Sequence, residues 1–208
     1  AYMEVFDAAY TWTWMHKTED YCKKNLPFSE FMNLLEKYES APGIKAWFTS
    51  NHDENSWNGT EYEKYGPLAK VLAVFSCTWK GIPLIYSGQE LPNLKRLEFF
   101  EKDLIEWSSN IELHSFYKKL LQLNTNYPSL KSDQSVKLIQ LESTGNTLGY
   151  SRNGEVIVLL NFSAKKVNLI LLEEILTGYK DLFTDKTVDL LNSIELEPFG
   201  YLVLLRTH

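Results

Sequence analysis

The sequence predicts an α/β region followed by an all-β region. In the first part, short apolar runs that end in polar clusters alternate with stretches of helical periodicity, a pattern typical of alternating strands and helices. Tyr127-Pro128-Ser129 reads as a turn, and after it the apolar period changes to two, which is typical of β-strands. We therefore expect an α/β domain over residues 1–130 and a β-domain over residues 131–208.

The first elements are a strand and a helix. A strand is expected at residues 5–10, and residues 11–14 either continue its alternation or form the wall of a cleft. After a polar stretch at residues 17–25, Ser29 is the expected N-cap of a helix. The buried face of that helix is predicted by the i, i+3, i+4, i+7 spacing of Phe31, Leu34, Leu35 and Tyr38. Ala41-Pro42-Gly43 ends it.

A second and a third strand follow in the same region. Residues 45–50 predict a strand, and the polar residues 53–65 predict a loop. A helix then begins after Gly66-Pro67. Residues 82–86 are almost continuously apolar, as in parallel strands that are buried on both faces. The last helix of this region is expected at residues 112–123.

The remainder of the chain predicts short strands joined by turns. They are expected at residues 136–141, 147–151, 156–161, 167–171, 179–183 and 200–205. Asn153-Gly154, between two of them, is a strong signal for a β-hairpin.

Polar, ionisable side chains follow two of the predicted strands. The apolar run that ends at Phe48 leads into Asn51-His52-Asp53, and the run 81–86 leads into Ser87-Gly88-Gln89-Glu90. A His beside an Asp is a weak signal by itself, since such pairs are often solvated on a loop. Two successive strands that deliver carboxylates to the same end indicate a site at the C-terminal ends of parallel strands.

These motifs carry a family resemblance. Asn51-His52-Asp53 followed by Gly81-x-Pro83-x-x-Tyr86-x-Gly88-x-Glu90 resembles the α-amylase family, glycoside hydrolase family 13. The start of the chain, around Phe6-Asp7, resembles the sixth barrel strand of that family. The resemblance implies the C-terminal part of a (β/α)₈ TIM barrel, strands six to eight, followed by a small antiparallel β-sandwich domain.

The resemblance also implies roles for five residues. Asp53 would stabilise the transition state of a retaining hydrolase of α-linked glucans, and His52 would bind the same sugar. Asn51, Tyr86 and Glu90 would support or orient their neighbours. The family's nucleophile and acid/base would lie upstream of residue 1, and Glu4 is interpreted as a solvated turn residue instead.

We therefore expect this sequence to be part of a longer enzyme and to need the missing N-terminal part of the same protein. By itself it should be inactive and prone to association, because an open barrel exposes sheet edges. Three alternatives stay open: a non-catalytic carbohydrate-binding protein, an inactive truncated protein, and a glucosyltransferase or isomerase of the same family. Hydrolysis is favoured only because hydrolases are the larger class.

Composition limits the partners and cofactors. The formal net charge of −6 argues against a nucleic-acid partner, and no apolar run is long enough to span a membrane. Cys22 and Cys77 lack the spacing of a zinc site, a disulfide between them stays open, and no compartment follows from their number. We expect no metal within this chain, although the resemblance allows a calcium ion in a longer protein. The expected substrate is an α-glucan or malto-oligosaccharide.

Overall fold

The computed structural model describes residues 5–109, 111–172, 176–190 and 193–207. Glu4 lies outside these ranges. The chain forms two compact units, one of residues 1–69 with 81–117 and the other of residues 70–80 with 118–208. No helix in the described part of the chain is long and apolar enough to cross a lipid bilayer.

The first unit contains a small parallel sheet. Its strands are β1 (Ala8–Tyr10), β2 (Ile44–Trp47) and β3 (Ile82–Pro83), in the order β1-β2-β3. All three are shorter than the sequence predicted, although the N–H of Leu84 still donates to the carbonyl of Trp47 at 2.8 Å. The expectation that residues 82–86 are buried on both faces is wrong, because β3 is an edge strand of this sheet and all five residues keep some exposure.

Two helices connect β1 to β2. They are α1 (Trp12–Cys22) and α2 (Phe28–Ser40). The N-cap position of α2 is Pro27, which makes no side-chain capping hydrogen bond, and not the predicted Ser29. Of the two alternatives for residues 11–14, continuation of the strand is wrong, because α1 begins at Trp12. Trp14 and Thr18 share one buried helical face, and the ring of Trp14 packs 4.2 Å from that of Phe31. Packing in the core thus stabilises a helix at residues 12–22, although the alternation of residues 11–14 is typical of a strand.

The segment between β2 and β3 is more regular than its polar composition predicts. Two short helices, α3 (His52–Trp57) and α4 (Glu61–Tyr65), replace the expected loop, and α5 (Leu68–Thr78) follows. Thr60 and Glu63 form a reciprocal capping box at the start of α4, with hydrogen bonds of 3.2 and 2.7 Å. Capping side chains therefore stabilise helices that are too short to be recognised by periodicity.

The second unit consists mainly of antiparallel strands. It also contains most of α5 and most of α6 (His114–Asn126). Its strands are β4 (Lys137–Leu138), β5 (Leu141–Ser143), β6 (Thr147–Arg152), β7 (Val156–Asn161), β8 (Val167–Leu171), β9 (Leu176–Asp181), β10 (Thr187–Leu190), β11 (Ser193–Leu196) and β12 (Tyr201–Arg206). They form a sheet of order β10-β9-β12-β7-β6-β4 and a sheet of order β11-β8-β5.

Side chains from both sheets share one apolar core. Its buried members are Ile157, Leu159, Val167, Leu169, Tyr179, Leu196 and Leu204. Strand β6 also contacts α5. The hydroxyl group of Tyr150 on β6 lies 2.6 Å from that of Thr78 on α5, so this helix packs against the larger sheet. An antiparallel β-rich C-terminal region was expected, and it is present.

The predicted strands differ from the observed ones in number. β6, β7 and β8 agree with the prediction to within one residue, and the expected strand at 136–141 is split into β4 and β5. β10 and β11 were missed. The hairpin between β6 and β7 is present, and Asn153 and Gly154 both have positive φ (51° and 71°), as a type I′ turn requires.

Both cysteines are free, so the disulfide that the sequence left open does not form. Cys77 is buried in α5, and burial raises the pKa of its thiol to about 12. A thiol in such surroundings is unreactive and acts as a small apolar side chain.

Gly81 and Gly154 provide a matched pair of glycine substitutions. Both have positive φ, but a Cβ on Gly81 would lie 2.6 Å from Nε1 of Trp47 and closer still to the carbonyl of Lys45, whereas a Cβ on Gly154 meets open space. We expect Gly81→Ala to lower the free energy of unfolding by about 2–5 kcal/mol, from steric overlap plus backbone strain. Gly154→Ala should cost about 1 kcal/mol, from strain alone. Urea denaturation measures both, and equal losses would contradict the close approach at Gly81.

Candidate active site

Asn51 begins the helix that carries the predicted site. Its backbone is extended (φ −152°), and its side-chain Oδ1 accepts a hydrogen bond of 2.9 Å from the N–H of Glu54. The residue is buried between the end of β2 and the first turn of α3. This N-cap fixes the direction in which α3 leaves the strand.

His52 and Asp53 occupy the first turn of α3 and face outward. Their side chains are 67% and 42% exposed, and His52 Nε2 lies 3.5 Å from Asp53 Oδ1. Both side chains are therefore open to a ligand that approaches the C-terminal end of β2. An ionised Asp offers acceptors and the imidazole offers a donor, a combination that suits the hydroxyl groups of a sugar.

Behind this exposed pair lies a buried ion pair. Lys64 Nζ is 2.9 Å from Glu54 Oε2, and these side chains are only 3% and 4% exposed. Asn58 donates to the other oxygen of Glu54 at 2.9 Å, and His16 Nε2 lies 3.7 Å from it. The pair therefore joins α1, α3 and α4 through one carboxylate. Breaking it would leave a buried charge uncompensated, so this contact behind α3 is costly to lose.

Glu90 is bound within its own loop. Its Oε2 accepts a 3.0 Å hydrogen bond from the N–H of Gly88, where φ is +96°, and its carbonyl accepts one of 2.9 Å from the N–H of Leu113. These contacts give Glu90 a structural part in shaping the turn after β3. They do not bring its carboxylate together with Asp53.

A second buried carboxylate, Glu61, was not predicted from the sequence. It is the first residue of α4 and is 2% exposed. Its Oε2 accepts hydrogen bonds from the hydroxyl of Thr49 and, at 2.6 Å, from the amide of Gln89, and its Oε1 accepts from the hydroxyl of Tyr117 at 3.1 Å. Thr49 follows β2 and Gln89 follows β3, so one carboxylate fastens both segments that carry the site. We call these four residues the Glu61 cluster.

Electrostatics in the Glu61 cluster follow from its burial. Burial raises the pKa of Glu61 above its ordinary value of 4.5, although the hydroxyl and amide donors favour the anion. Burial, followed by the nearby Glu61 charge, also raises the pKa of Tyr117, which keeps that hydroxyl a donor. The only signal for this cluster in the sequence is Thr60-x-x-Glu63, a capping-box pattern that places Glu61 at a helix start.

A small polar cavity lies beside the cluster. Its volume of about 10 Å³ has room for one water molecule, and Ser50, Glu61, Tyr86 and Gln89 are among the residues that line it. The N–H of Tyr86 donates to Gln89 Oε1 at 2.6 Å, and burial raises the pKa of the Tyr86 hydroxyl.

Among the residues that the structure describes, no three His, Cys, Asp or Glu side chains are grouped to hold a metal ion.

Curated proteins that are similar to this chain are amylases, as the sequence motifs led us to expect. No protein-family model matches the sequence. Alpha-amylase 2 of Dictyoglomus thermophilum is 26% identical over 194 residues, which cover 86% of this chain and 32% of that protein. A β/α-amylase of Paenibacillus polymyxa is 27% identical over 124 residues, which cover 56% of this chain and 10% of that protein. Over most of its length the chain is thus similar to an α-amylase.

A solved structure shows that the fold is shared as well. A maltogenic α-amylase from Thermotoga neapolitana superposes with a TM-score of 0.80 at 20% identity, over 99% of this chain and 52% of that one. The chain thus spans about a third of the first curated relative and about half of this α-amylase-family structure.

The Glu61 cluster makes a pH-dependent contribution to stability. Since the folded-state pKa of Glu61 is raised, its contribution to the free energy of unfolding is fully present below pH 4.5 and is lost as pH rises through the folded pKa. We expect the stability of the wild type relative to Glu61→Gln to fall as pH increases from 4.5 and then to become constant. Urea denaturation over a pH series measures this difference.

Glu63→Gln is the matched control for that series. The hydrogen bond from the N–H of Thr60 lowers the pKa of Glu63, so its stabilising contribution is present above the ordinary pKa and is lost only as pH falls through the folded pKa. Relative to the wild type, this variant should therefore show a constant difference in stability above pH 4.5. A constant difference for Glu61→Gln as well would contradict the raised pKa of the buried carboxyl.

Proposed function

We propose that this chain is the C-terminal part of a retaining glycoside hydrolase of the α-amylase type. In this proposal residues 1–130 supply strands six to eight of a (β/α)₈ barrel, and residues 131–208 supply the C-terminal β-sandwich domain. The nucleophile and the acid/base belong to the preceding part of the same protein. The substrate is an α-linked glucan or malto-oligosaccharide.

Asp53 acts in this proposal by differential binding of the transition state. Retaining hydrolysis passes through an oxocarbenium-like transition state, with one carboxylate as nucleophile and another as acid/base. A third carboxylate that accepts hydrogen bonds from the sugar hydroxyls strengthens those bonds as positive charge develops on the ring. Asp53 takes this third role, and His52 donates to hydroxyls of the same sugar.

The observation that carries the proposal is the exposed His52–Asp53 pair on a rigid support. Both side chains are open to solvent at the end of a parallel strand. The Asn51 cap and the buried Glu54–Lys64 pair hold α3 from behind. A solvated surface loop would need neither support, whereas transition-state binding requires groups that are held in place before the substrate arrives.

The test is made on the protein as its host produces it. Intact-mass spectrometry should give a mass well above the 24.2 kDa of this chain, and the protein should release reducing ends from soluble starch. Asp53→Asn should lower kcat about 100-fold or more, because it removes charge stabilisation that is realised mainly in the transition state. Its thermal unfolding midpoint should be unchanged, since the side chain is exposed.

Asp20→Asn serves as the control. Asp20 lies on α1 in an exposed ion pair with Lys17, so this variant loses the same charge without touching the site and should keep wild-type kcat. A mass of 24.2 kDa without activity, or full activity of Asp53→Asn, would contradict the proposal. Products longer than the substrate, without new reducing ends, would show transfer in place of hydrolysis.

A further inference from the structure

Three aromatic side chains form an exposed cluster on the first unit. Trp57, Phe99 and Phe100 are 58%, 40% and 82% exposed. Their ring centroids lie 4.9 to 6.0 Å apart: 5.2 Å for Trp57 and Phe99, 6.0 Å for Trp57 and Phe100, and 4.9 Å for Phe99 and Phe100. Large apolar groups that are gathered on a surface mark binding sites more often than isolated ones do.

The cluster adjoins the candidate active site. The imidazole of His52 is stacked with the ring of Phe99 at 6.4 Å, with an angle of 21° between their planes. Trp57 is the last residue of α3, whose first turn carries His52 and Asp53. The aromatic surface is thus continuous with the exposed pair that we assign to the sugar at the cleavage point.

Polar contacts hold the segment that carries Phe99 and Phe100. Asn55 on α3 accepts a 2.9 Å hydrogen bond from the N–H of Leu97, and Arg96 pairs with Glu63 on α4 at 3.2 Å. Asp103 accepts hydrogen bonds from the N–H groups of Glu98 and Leu104, at 3.1 and 2.8 Å. The aromatic rings are therefore presented on an ordered segment, which reduces the entropy lost when a ligand binds.

We propose that Trp57, Phe99 and Phe100 form a stacking platform for the sugar rings of an α-glucan next to the ring held by His52 and Asp53. A pyranose ring exposes C–H groups on its faces, and these pack against the apolar faces of aromatic side chains while the sugar hydroxyls stay in water. Aromatic groups also supply a large contact area at low cost in side-chain entropy. The inference rests on the proposed function, because the ligand is the same chain that Asp53 would act on.

The experiment measures the binding of maltoheptaose by calorimetry. It uses the full protein carrying Asp53→Asn, so that the ligand is not hydrolysed. Adding Trp57→Ala or Phe100→Ala should raise Kd about 5- to 10-fold, in line with the loss of one aromatic contact. Glucose, whose single ring cannot fill both the position at His52 and Asp53 and the platform, should bind at the first position with an unchanged Kd.

Two comparisons separate stacking from other effects. Phe100→Tyr keeps an aromatic face and should bind like the parent, whereas Phe100→Leu keeps apolar area but should bind like Phe100→Ala. Trp107→Ala is the matched control for Trp57→Ala, because the two Trp side chains are 55% and 58% exposed. Trp107 has no ring contact with the cluster among the described residues, so the Kd of this variant for maltoheptaose should not change.

Failure of the inference can be told from failure of the proposed function. An unchanged Kd in Trp57→Ala and Phe100→Ala, or no binding of maltoheptaose at millimolar concentration, would overturn the platform. A lower unfolding temperature with an unchanged Kd would show that the cluster is a packing face, and it would also overturn the platform. Starch hydrolysis that survives Asp53→Asn would overturn the assigned role of Asp53 but not the platform.

Discussion

The buried carboxylate of Glu61 is the interaction on which the geometry of the first unit depends. Strands β2 and β3 are short, and the segments that follow them have few backbone hydrogen bonds to hold them in register. Glu61 takes hydrogen bonds from Thr49 after β2 and from Gln89 after β3, and a third from Tyr117. Because a carboxylate accepts several hydrogen bonds at once, a single side chain can join segments that are distant in sequence. Removing it would take this acceptor away from the buried hydroxyl groups of Thr49 and Tyr117.

The two buried acids beside the site are stabilised in different ways. Glu54 is paired with the cation of Lys64, so its charge is compensated directly. Glu61 is surrounded by neutral hydroxyl and amide donors, and burial raises its pKa. Both arrangements are costly to disrupt, because a buried polar group without its partners loses its hydration and receives nothing in return. These contacts matter for the proposed function because they hold α3 in place. Asp53 can bind a transition state only if α3 keeps its position as charge develops on the sugar.

The sequence predicted some elements well and others poorly, and the difference has physical causes. Hairpins depend on local chemistry, and Asn153-Gly154 located one correctly because its backbone conformation is intrinsic to those residues. Residues 12–22 form a helix against the local pattern, because Trp14 packs in the core with residues far along the chain. The positions of His52 and Asp53 at a strand end were predicted from motif order, and their roles stay predictions. The Glu61 cluster could not be foreseen, because its members are separated by up to 68 residues between Thr49 and Tyr117. Only the folded topology brings such partners together.

The most direct test of this account is backbone hydrogen exchange in Glu61→Ala compared with the wild type. If Glu61 fastens both post-strand segments, amides of α3 and of residues 84–93 should exchange faster together in the variant, while amides of β6 and β7 in the second unit keep their protection. Faster exchange confined to α4, where Glu61 itself resides, would contradict the claim that one buried carboxylate holds the site together.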